Sequence, residues 1–360
     1  MRYIGALLGY ILLGINAVVS ALMLFVAYSP YLDPQSYPIL SCAGLFFPIF
    51  LMLNIGFLFL WVVIYRRYAL LPLVTLITCW NAFQTYFPIN LSVGEVPEGA
   101  IKILSYNTRA FGEMKAHTKE KPNEVLAYLQ NSDADIICLQ EYIYGEKLPK
   151  KDIDYALKEY PYKHYLKLEK GWNGLGCYSR YPILSAKQIK FDNNMNGSIL
   201  YNIKVGNDTL CVVNNHLESN RILDSDVEAY HAMLESPNSK TIVSGSKQLL
   251  KKLSNATAIR AEQADTVVDI IKNSRKKYVI VCGDFNDTPV SYTHHAFNQI
   301  LKDAFVEAGN GLGISYNRNR MYVRIDHILT SKDMEVHDCQ VDNSIKASDH
   351  YPIWCHVSLK

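Results

Sequence analysis

Charged side chains are missing from three long stretches near the start of this 360-residue chain. The stretches without Asp, Glu, Lys or Arg are Ile4 to Tyr28, Pro38 to Tyr65 and Tyr68 to Ile89. Each reaches the roughly 20 residues that an α-helix needs to cross the hydrocarbon core of a bilayer. The sequence therefore predicts three transmembrane helices that form an N-terminal membrane anchor, residues 1–95. A cleaved signal peptide is the alternative for the first stretch, but that stretch is too long and lacks a small-residue cleavage site.

The few charges beside these stretches predict an orientation. Arg2 precedes the first stretch and Arg66 and Arg67 separate the second from the third, whereas the connection between the first two contains only Asp33. Cytoplasmic loops favour Lys and Arg, so the three arginines are expected on the cytoplasmic side. After three crossings, the rest of the chain would lie on the non-cytoplasmic side, which in a bacterium is the periplasm or the exterior.

The remaining chain also lacks cysteine clusters and an excess of basic residues. Its six cysteines lie singly in apolar, strand-like runs, so neither a zinc site nor a small disulfide framework is predicted, and buried free thiols are expected: Cys138, Cys177, Cys211, Cys282, Cys339 and Cys355. After residue 98 there are 33 Lys and Arg against 31 Asp and Glu. The broad basic stripe typical of nucleic-acid binding is therefore not visible in the charge balance.

Residues 99–360 contain many short β-rich runs, several of which end in a polar residue. Helical patterns occur at Pro122 to Gln130 and at Ala256 to Ile271. This alternation favours one layered α/β domain. The polar, serine-rich stretch Asn220 to Asn255 is predicted to contain a surface excursion that could border an active site.

The motif Gly283-Asp284-Phe285-Asn286 follows one apolar run. A strand that ends there would present a carboxylate and a carboxamide, and the glycine would let another backbone approach closely. Gly, Asp and Asn also favour ordinary turns, so the motif alone leaves both interpretations open.

Two other acids lie beside or near a histidine. In Ser348-Asp349-His350, neighbouring side chains of an extended chain point in opposite directions, so Asp349 would face a metal or a water and His350 a phosphate group. A simple Asp-His pair at the start of a strand is the alternative. Asp326 lies inside a strand-like run, where Asp is rare. A carboxylate that orients and charges an imidazole would explain it, with His350 as its partner.

Three further strand ends carry polar side chains. Glu141 ends an apolar run and suits a hard divalent cation, although a solvated strand end would look the same. Asn107 repeats this arrangement and could support the metal, and Arg109 could contact a phosphate oxygen. His216 also follows a strand, but a single histidine in that place is weak evidence.

The combination is more specific than its parts, because the motifs occur in one order. Over residues 100–360 they resemble the endonuclease/exonuclease/phosphatase superfamily. Asn107 to Gly112 is similar to the opening of deoxyribonuclease I, and Asn173 to Gly176 with Ser179 to Ile183 is similar to a glycine-then-Ser-Arg strand of the family. The resemblance implies a four-layer α/β sandwich, similar to deoxyribonuclease I, with an active site at one edge of the sheets.

The resemblance also implies roles for the motif residues. Glu141 would be the main ligand of Mg²⁺, or of Mn²⁺ in its place, with Asn107 and Asp349 near the metal. His350, paired with Asp326, would act as general base or stabilise the phosphorane. Three other residues would act on the water, the phosphate or the leaving group: Asp284, Asn286 and His216. Phosphoryl transfer needs mostly positioning and charge neutralisation, which such groups supply.

The substrate remains open at this point, because members of one fold act on different molecules. A membrane-anchored phosphoesterase acting on a lipid headgroup is favoured by the apolar stretches, and a membrane-anchored nuclease by the Asn107 to Gly112 similarity. A non-catalytic binding module should have lost a catalytic side chain, and none is lost. The expected partners are a lipid-like or nucleic-acid phosphoester and the bilayer, and no protein partner is inferred. Three asparagines inside the stretches could mark a transport path, but helix packing is the simpler explanation: Asn16, Asn54 and Asn81.

Overall fold

The protein is described by a computed structural model. It describes residues 2–91, 94–118, 120–168, 173–192, 196–222, 239–318 and 321–360. Within these ranges an N-terminal group of helices precedes a domain with two β-sheets.

The N-terminal group contains two helical segments that are long and apolar enough to cross a membrane. They are Gly5–Tyr31 and Pro38–Ile64, each of 27 residues. The helices and 3-10 turns of this group, in chain order, are Arg2–Tyr28, Ser29–Tyr31, Pro38–Ser41, Cys42–Phe46, Phe47–Ile64, Arg66–Ala69, Leu70–Thr78 and Trp80–Tyr86.

The prediction of a third continuous transmembrane helix is wrong. The apolar stretch from Tyr68 to Ile89 is divided at Cys79 into helices of 9 and 7 residues. The hydroxyls of Thr75 and Thr78 both donate to carbonyl oxygens four residues earlier, a pattern that bends helices. Hydropathy reports how apolar a stretch is and does not report such a break.

Polar side chains join the two long helices to each other. Ser20 donates to Asn54 Oδ1 at 2.9 Å, and Trp61 Nε1 donates to Asn16 Oδ1 at 2.9 Å. Asn16 and Asn54 are fully buried between the helices, so the helix-packing explanation is confirmed for them. Asn81 is exposed.

The second part of the chain has two six-stranded sheets. Their orders are β13-β14-β1-β2-β4-β3 and β5-β6-β7-β8-β12-β9, and β10 and β11 form a hairpin. The strands are β1 Ile101–Asn107, β2 Ile136–Gln140, β3 Tyr162–Lys167, β4 Gly174–Ser179, β5 Ile183–Ile189, β6 Gly197–Val205, β7 Asp208–His216, β8 Tyr278–Asp284, β9 Lys302–Asp303, β10 Tyr316–Arg318, β11 Met321–Val323, β12 Asp326–Thr330, β13 Met334–Val341 and β14 Ile353–Leu359.

Alternating side chains of the strands build separate apolar layers. Ile103 and Ile280 face the core between the sheets, whereas the neighbouring Leu104 and Val281 face the helices outside. The result is helix, sheet, sheet, helix. All eight cysteines are buried and free, which confirms the expectation made for the six after residue 98. The outer helices are Glu124–Asn131, Lys150–Ala156, Ser239–Ser274 and Tyr292–Asn298, whereas the short helix Ala304–Ala308 packs its apolar side chains into the core between the sheets.

The stretch from Asn220 to Asn255, predicted to contain a surface excursion, is helical in its second half. Residues 223–238 lie outside the described residues, but 239–255 belong to the helix Ser239–Ser274. That helix buries Ala264, Val267 and Ile271 against the second sheet. Serines and lysines on its exposed side account for the polar composition, which resembles that of a loop.

Candidate active site

The strand directions bring six strand ends to one edge of the molecule. β1 runs parallel to β2, with Asn107 opposite Gln140, and β7 runs parallel to β8, with His216 opposite Asp284. β12 runs antiparallel to β8 and begins at Asp326, directly opposite Asp284. β14 likewise runs antiparallel to β1. The polar residues at the ends of β1, β2, β7 and β8 therefore lie close to those at the starts of β12 and β14.

Asn107 connects the two sheets at this edge. Its Nδ2 donates to Glu141 Oε1 at 3.2 Å and to Asp284 Oδ2 at 3.0 Å. Glu141 directly follows β2 in a left-handed conformation with φ 50°. The carboxamide of Asn107 therefore holds one carboxylate from each sheet, Glu141 and Asp284.

Asp284 lies between two imidazoles. Its Oδ2 is 3.7 Å from Nε2 of His216 and 3.7 Å from Nε2 of His350. All three residues are at least 95 % buried. In this dry setting the carboxylate interacts strongly with either ring when that ring is protonated.

The second nitrogen of each imidazole is occupied. Nδ1 of His350 donates to Asp326 Oδ2 at 2.8 Å, and Nδ1 of His216 lies 3.0 Å from Nδ2 of Asn173. His350 thus has a carboxylate partner and His216 an amide partner, whose Oδ1 also lies 3.3 Å from Nδ1 of His216.

The pKa of His350 follows from its surroundings. Burial alone would lower it, but the carboxylates of Asp326, Asp284 and Asp349 outweigh burial and raise the pKa of His350 to about 10. The ring is therefore an imidazolium at neutral pH.

The loop after β8 is shaped by two unusual backbone conformations. Gly283 has φ 130°, and a Cβ there would overlap the carbonyl of Asn215 on β7, so the predicted close approach occurs. Asn286 has φ 53°, its N–H donates to Asp284 Oδ1 at 2.8 Å, and its Nδ2 donates to the carbonyl of Leu217. Asn286 thereby orients Asp284 and connects the β7 and β8 loops.

Arg109 and Asp349 lie at the rim. Arg109 Nε is 3.8 Å from Asp349 Oδ2, and its Nη2 is 2.8 Å from Glu113. Every residue of the short helical turn Arg109–Met114 has a left-handed conformation with positive φ. Such a turn is costly for residues other than glycine, and the bond from Ala110 N–H to the Glu141 carbonyl helps to hold it.

The donor set fits a hard divalent cation. Glu141 and Asp349 are only partly buried and offer carboxylate oxygens, which Mg²⁺ prefers. Asp326 Oδ1 is buried without a hydrogen-bond partner, so one carboxylate acceptor at this edge is not engaged by a described residue. Among the described residues, ligand-type atoms of Asp284, Asp326 and His350 also lie within 4.8 Å of one another. The Asp326–His350 contact in this group is a hydrogen bond of 2.8 Å.

A second buried group, formed by His294, Asp303 and His327, lies outside this edge. His294 Nε2 is 2.8 Å from Asp303 Oδ2. Burial raises the pKa of Asp303, but the hydrogen bond with His294 and the charge of the buried Arg324 outweigh burial and hold that pKa well below its usual range. The only carboxylate of this group is therefore already engaged by an imidazole, which disfavours a metal ion there.

Four residues at the site were not predicted from the sequence. Asn173 contacts His216, Ser348 Oγ donates to the carbonyl of Asn107 at 2.9 Å, and Tyr316 packs edge-on against His350 with ring centroids 5.0 Å apart. Arg318 Nη1 lies 3.5 Å from Asp349 Oδ2. Asn173 and Ser348 belong to motifs that the sequence singled out. No pattern marks Tyr316 and Arg318, which lie in a short hairpin.

Comparison with known proteins agrees with this geometry. Residues 104–350 match the model of the Endonuclease/Exonuclease/phosphatase family, and residues 9–86 match a domain of unknown function. An exodeoxyribonuclease of Bacillus subtilis is 22 % identical over 293 residues, which cover 72 % of this chain and all of that protein.

Solved structures share the fold. The catalytic domain of human nocturnin with a bound sulfate anion superimposes with a TM-score of 0.51 at 15 % identity, covering 76 % of this chain and 96 % of that one. An endonuclease/exonuclease/phosphatase protein from Bacteroides vulgatus gives a TM-score of 0.50 at 15 % identity, covering 73 % and 100 %. At such identities the likeness concerns the fold alone.

Proposed function

The chain belongs to the endonuclease/exonuclease/phosphatase family, a family of metal-dependent hydrolases of phosphate esters, and from that premise we propose that it is a membrane-anchored, Mg²⁺-dependent phosphoesterase. One observation carries the proposal: the Asp284 carboxylate lies 3.7 Å from both His216 and His350. A water beside Asp284 would then lie near two imidazoles that can contact a phosphate group.

Each residue has a role in the proposed reaction. Asp284 orients or deprotonates the attacking water, and Asn286 fixes Asp284 while its Oδ1 can contact the water. His350, kept charged by Asp326, stabilises the negative charge that develops on the phosphorane. His216 binds a phosphate oxygen or assists the leaving group.

Three residues would hold the metal and one would bind the substrate. Glu141 is the main ligand, with Asn107 and Asp349 near it. A Mg²⁺ ion held by these residues would supply positive charge that neutralises phosphate oxygens. Arg109, which lies beside Asp349, contacts a phosphate oxygen at the rim.

The apolar helices favour a substrate at a membrane. Large apolar side chains point outward along both long helices, for example Leu7, Ile15, Met52 and Val63. An exposed apolar surface of this kind calls for a bilayer or a partner. We propose that a bilayer covers it and that the enzyme hydrolyses a phosphoester of a lipid headgroup.

The helix contacts support a domain on the non-cytoplasmic side. Tyr28 donates to the Thr78 carbonyl at the end of the helices near the catalytic domain, while Tyr65 approaches Gly9 at the opposite end. Arg66 and Arg67 therefore lie at the end away from the catalytic domain. If they face the cytoplasm, the catalytic domain faces the other side.

A nuclease is the second candidate. The similarity to an exodeoxyribonuclease favours it, and the near-neutral charge after residue 98 disfavours it. A binding module is the remote third, because every predicted catalytic side chain is present.

The test uses full-length protein in vesicles of phosphatidylethanolamine and phosphatidylglycerol, beside a single-stranded oligonucleotide, with Mg²⁺ and with a chelator. Release of water-soluble phosphate compounds by the wild type, and its loss in His350→Ala, would support the lipid phosphoesterase. Oligonucleotide cleavage without such release would support the nuclease instead. Failure on both substrates would overturn both assignments.

A further inference from the structure

The N-terminal helical unit contacts the catalytic domain at two places. Thr85, Pro88 and Asn90 contact residues 306–324, and a second segment contacts the helices beside the site loops. This docking segment, Ser29–Phe46, comprises the end of the first long helical segment, the connection between the two segments and the start of the second. Gln35 Nε2 donates to the carbonyl of Ala258 at 2.8 Å. The ring of Tyr31 lies 4.4 Å from that of His295. Contacts to two different helices fix the docking segment in orientation as well as in position.

The docking segment also packs against the loop that follows the β8 active-site residues. Val290, four residues after Asn286, is 3 % exposed and belongs to one apolar cluster with Met23 and Phe47. Gly44 lies against the Val290 backbone, and a Cβ at Gly44 would overlap the Val290 carbonyl oxygen. Only glycine allows this approach, so the contact is specific.

A buried arginine extends the connection to the other site loop. Arg260 is 2 % exposed. Its Nε donates to Asp287 Oδ2 at 3.2 Å, and its Nη1 donates to the Glu218 carbonyl and to Asn220 Oδ1, both at 2.9 Å. Its Nη2 donates to Thr257 Oγ1 at 3.0 Å. One guanidinium thus holds loops from two strands through planar, directed bonds.

These loops directly follow catalytic residues. Glu218 is two residues after His216, and Asp287 follows Asn286. Thr257, which accepts the Arg260 bond, also accepts a bond from the Cys42 thiol of the docking segment, at 3.4 Å. A continuous path of contacts therefore leads from the apolar helices to both site loops.

We propose that the N-terminal helical unit, which matches a domain of unknown function, is a positioning element of the active site as well as an anchor. Through Gly44 and Thr257 it holds the loops 217–220 and 285–291 in their reactive arrangement, and Arg260 is its positioning residue in the catalytic domain. The expected effect of this positioning on turnover rests on the proposed function. Small displacements of such loops reduce turnover strongly, because reaction requires aligned groups.

The main test compares Gly44→Ala with Gly56→Ala in full-length protein in detergent. A Cβ at Gly56 meets nothing within 4 Å, so that variant is the matched control. Hydrogen exchange of residues 285–291 should accelerate about tenfold in Gly44→Ala and stay unchanged in Gly56→Ala, while exchange in β4 stays slow in both. On bis(p-nitrophenyl) phosphate with Mg²⁺, kcat should fall about tenfold for Gly44→Ala with little change in KM.

A gentler pair of variants guards against simple misfolding. Thr257→Val removes the hydroxyl between Cys42 and Arg260, and Thr266→Val removes an exposed hydroxyl on the same helix. Faster exchange at 217–220 and a lower kcat in Thr257→Val alone would support the proposal. Unchanged exchange in both Gly44→Ala and Thr257→Val would overturn it, even if the wild type hydrolysed no phosphoester. Absence of activity with altered exchange would instead count against the proposed function.

Discussion

Replacement of Asp326 by asparagine should remove the charge on His350. The Nδ1–Oδ2 contact is 2.8 Å, and two charges about 4 Å apart at an effective dielectric constant near 20 interact by about 4 kcal/mol. Since about 1.4 kcal/mol corresponds to one pH unit, the pKa of His350 should fall from about 10 to about 7. The ring would then be largely neutral at pH 8, and kcat should fall about 10²–10³-fold.

The assay has two parts. In metal-free protein, an NMR titration of the His350 ring gives its pKa in the wild type and in Asp326→Asn. With Mg²⁺, hydrolysis of bis(p-nitrophenyl) phosphate gives kcat. The matched control is Asp338→Asn, which breaks another Asp–His pair of the same 2.8 Å length, to His356 on β14, away from the site.

The same pair also contributes to stability with a defined pH dependence. The folded pKa of His350 lies above the ordinary imidazole value of about 6.5, so the stabilisation is fully present below that pH and is lost as the pH rises through about 10. Asp326→Asn should therefore lower the free energy of unfolding by a few kcal/mol at pH 6 and by less at pH 10. A His350 pKa near 10 in Asp326→Asn, or an equal loss of kcat in Asp338→Asn, would refute the reasoning.

Three other predictions concern folding and topology. Gly283→Ala should lower the melting temperature far more than Gly206→Ala, because both residues have positive φ but only the first would overlap another backbone, that of Asn215; equal losses would contradict this. Asn16→Ala should destabilise the detergent-solubilised protein by about 1 kcal/mol, whereas Asn81→Ala, at an exposed position, should not, as thermal denaturation can show. A C-terminal alkaline phosphatase fusion expressed in bacteria should be active and a C-terminal green fluorescent protein fusion dark, and the reverse pattern would place the catalytic domain in the cytoplasm.

Much of the site could be predicted because its residues lie at strand ends. Asn107, Glu141, His216 and Asp284 each terminate or follow an apolar run, and parallel strands bring such ends to one edge. Asp326 could be predicted because it lies inside a strand-like run and not at its end, and an acid in that place needs a partner. The sequence could therefore identify these residues without any knowledge of their distances.

Other features depend on contacts that no local pattern reports. The helix break at Cys79 comes from hydroxyl bonds inside an otherwise apolar stretch. Arg260 looks like an ordinary charge on an amphipathic helix, yet it is buried and bonded to the loops that follow the neighbouring strands β7 and β8. The docking of Gly44 on Val290 joins residues far apart in the chain. Long-range packing of this kind is set by the whole fold and not by composition.

The most direct test of the account is hydrolysis of bis(p-nitrophenyl) phosphate by full-length protein and by Asp284→Asn, with Mg²⁺ and after chelation. Asp208→Asn, at an exposed end of β7, is the control. The account predicts that the wild type and Asp208→Asn are active only with the metal and that Asp284→Asn loses at least about 10³-fold in kcat. Wild-type turnover in Asp284→Asn, or turnover unaffected by the chelator, would contradict it.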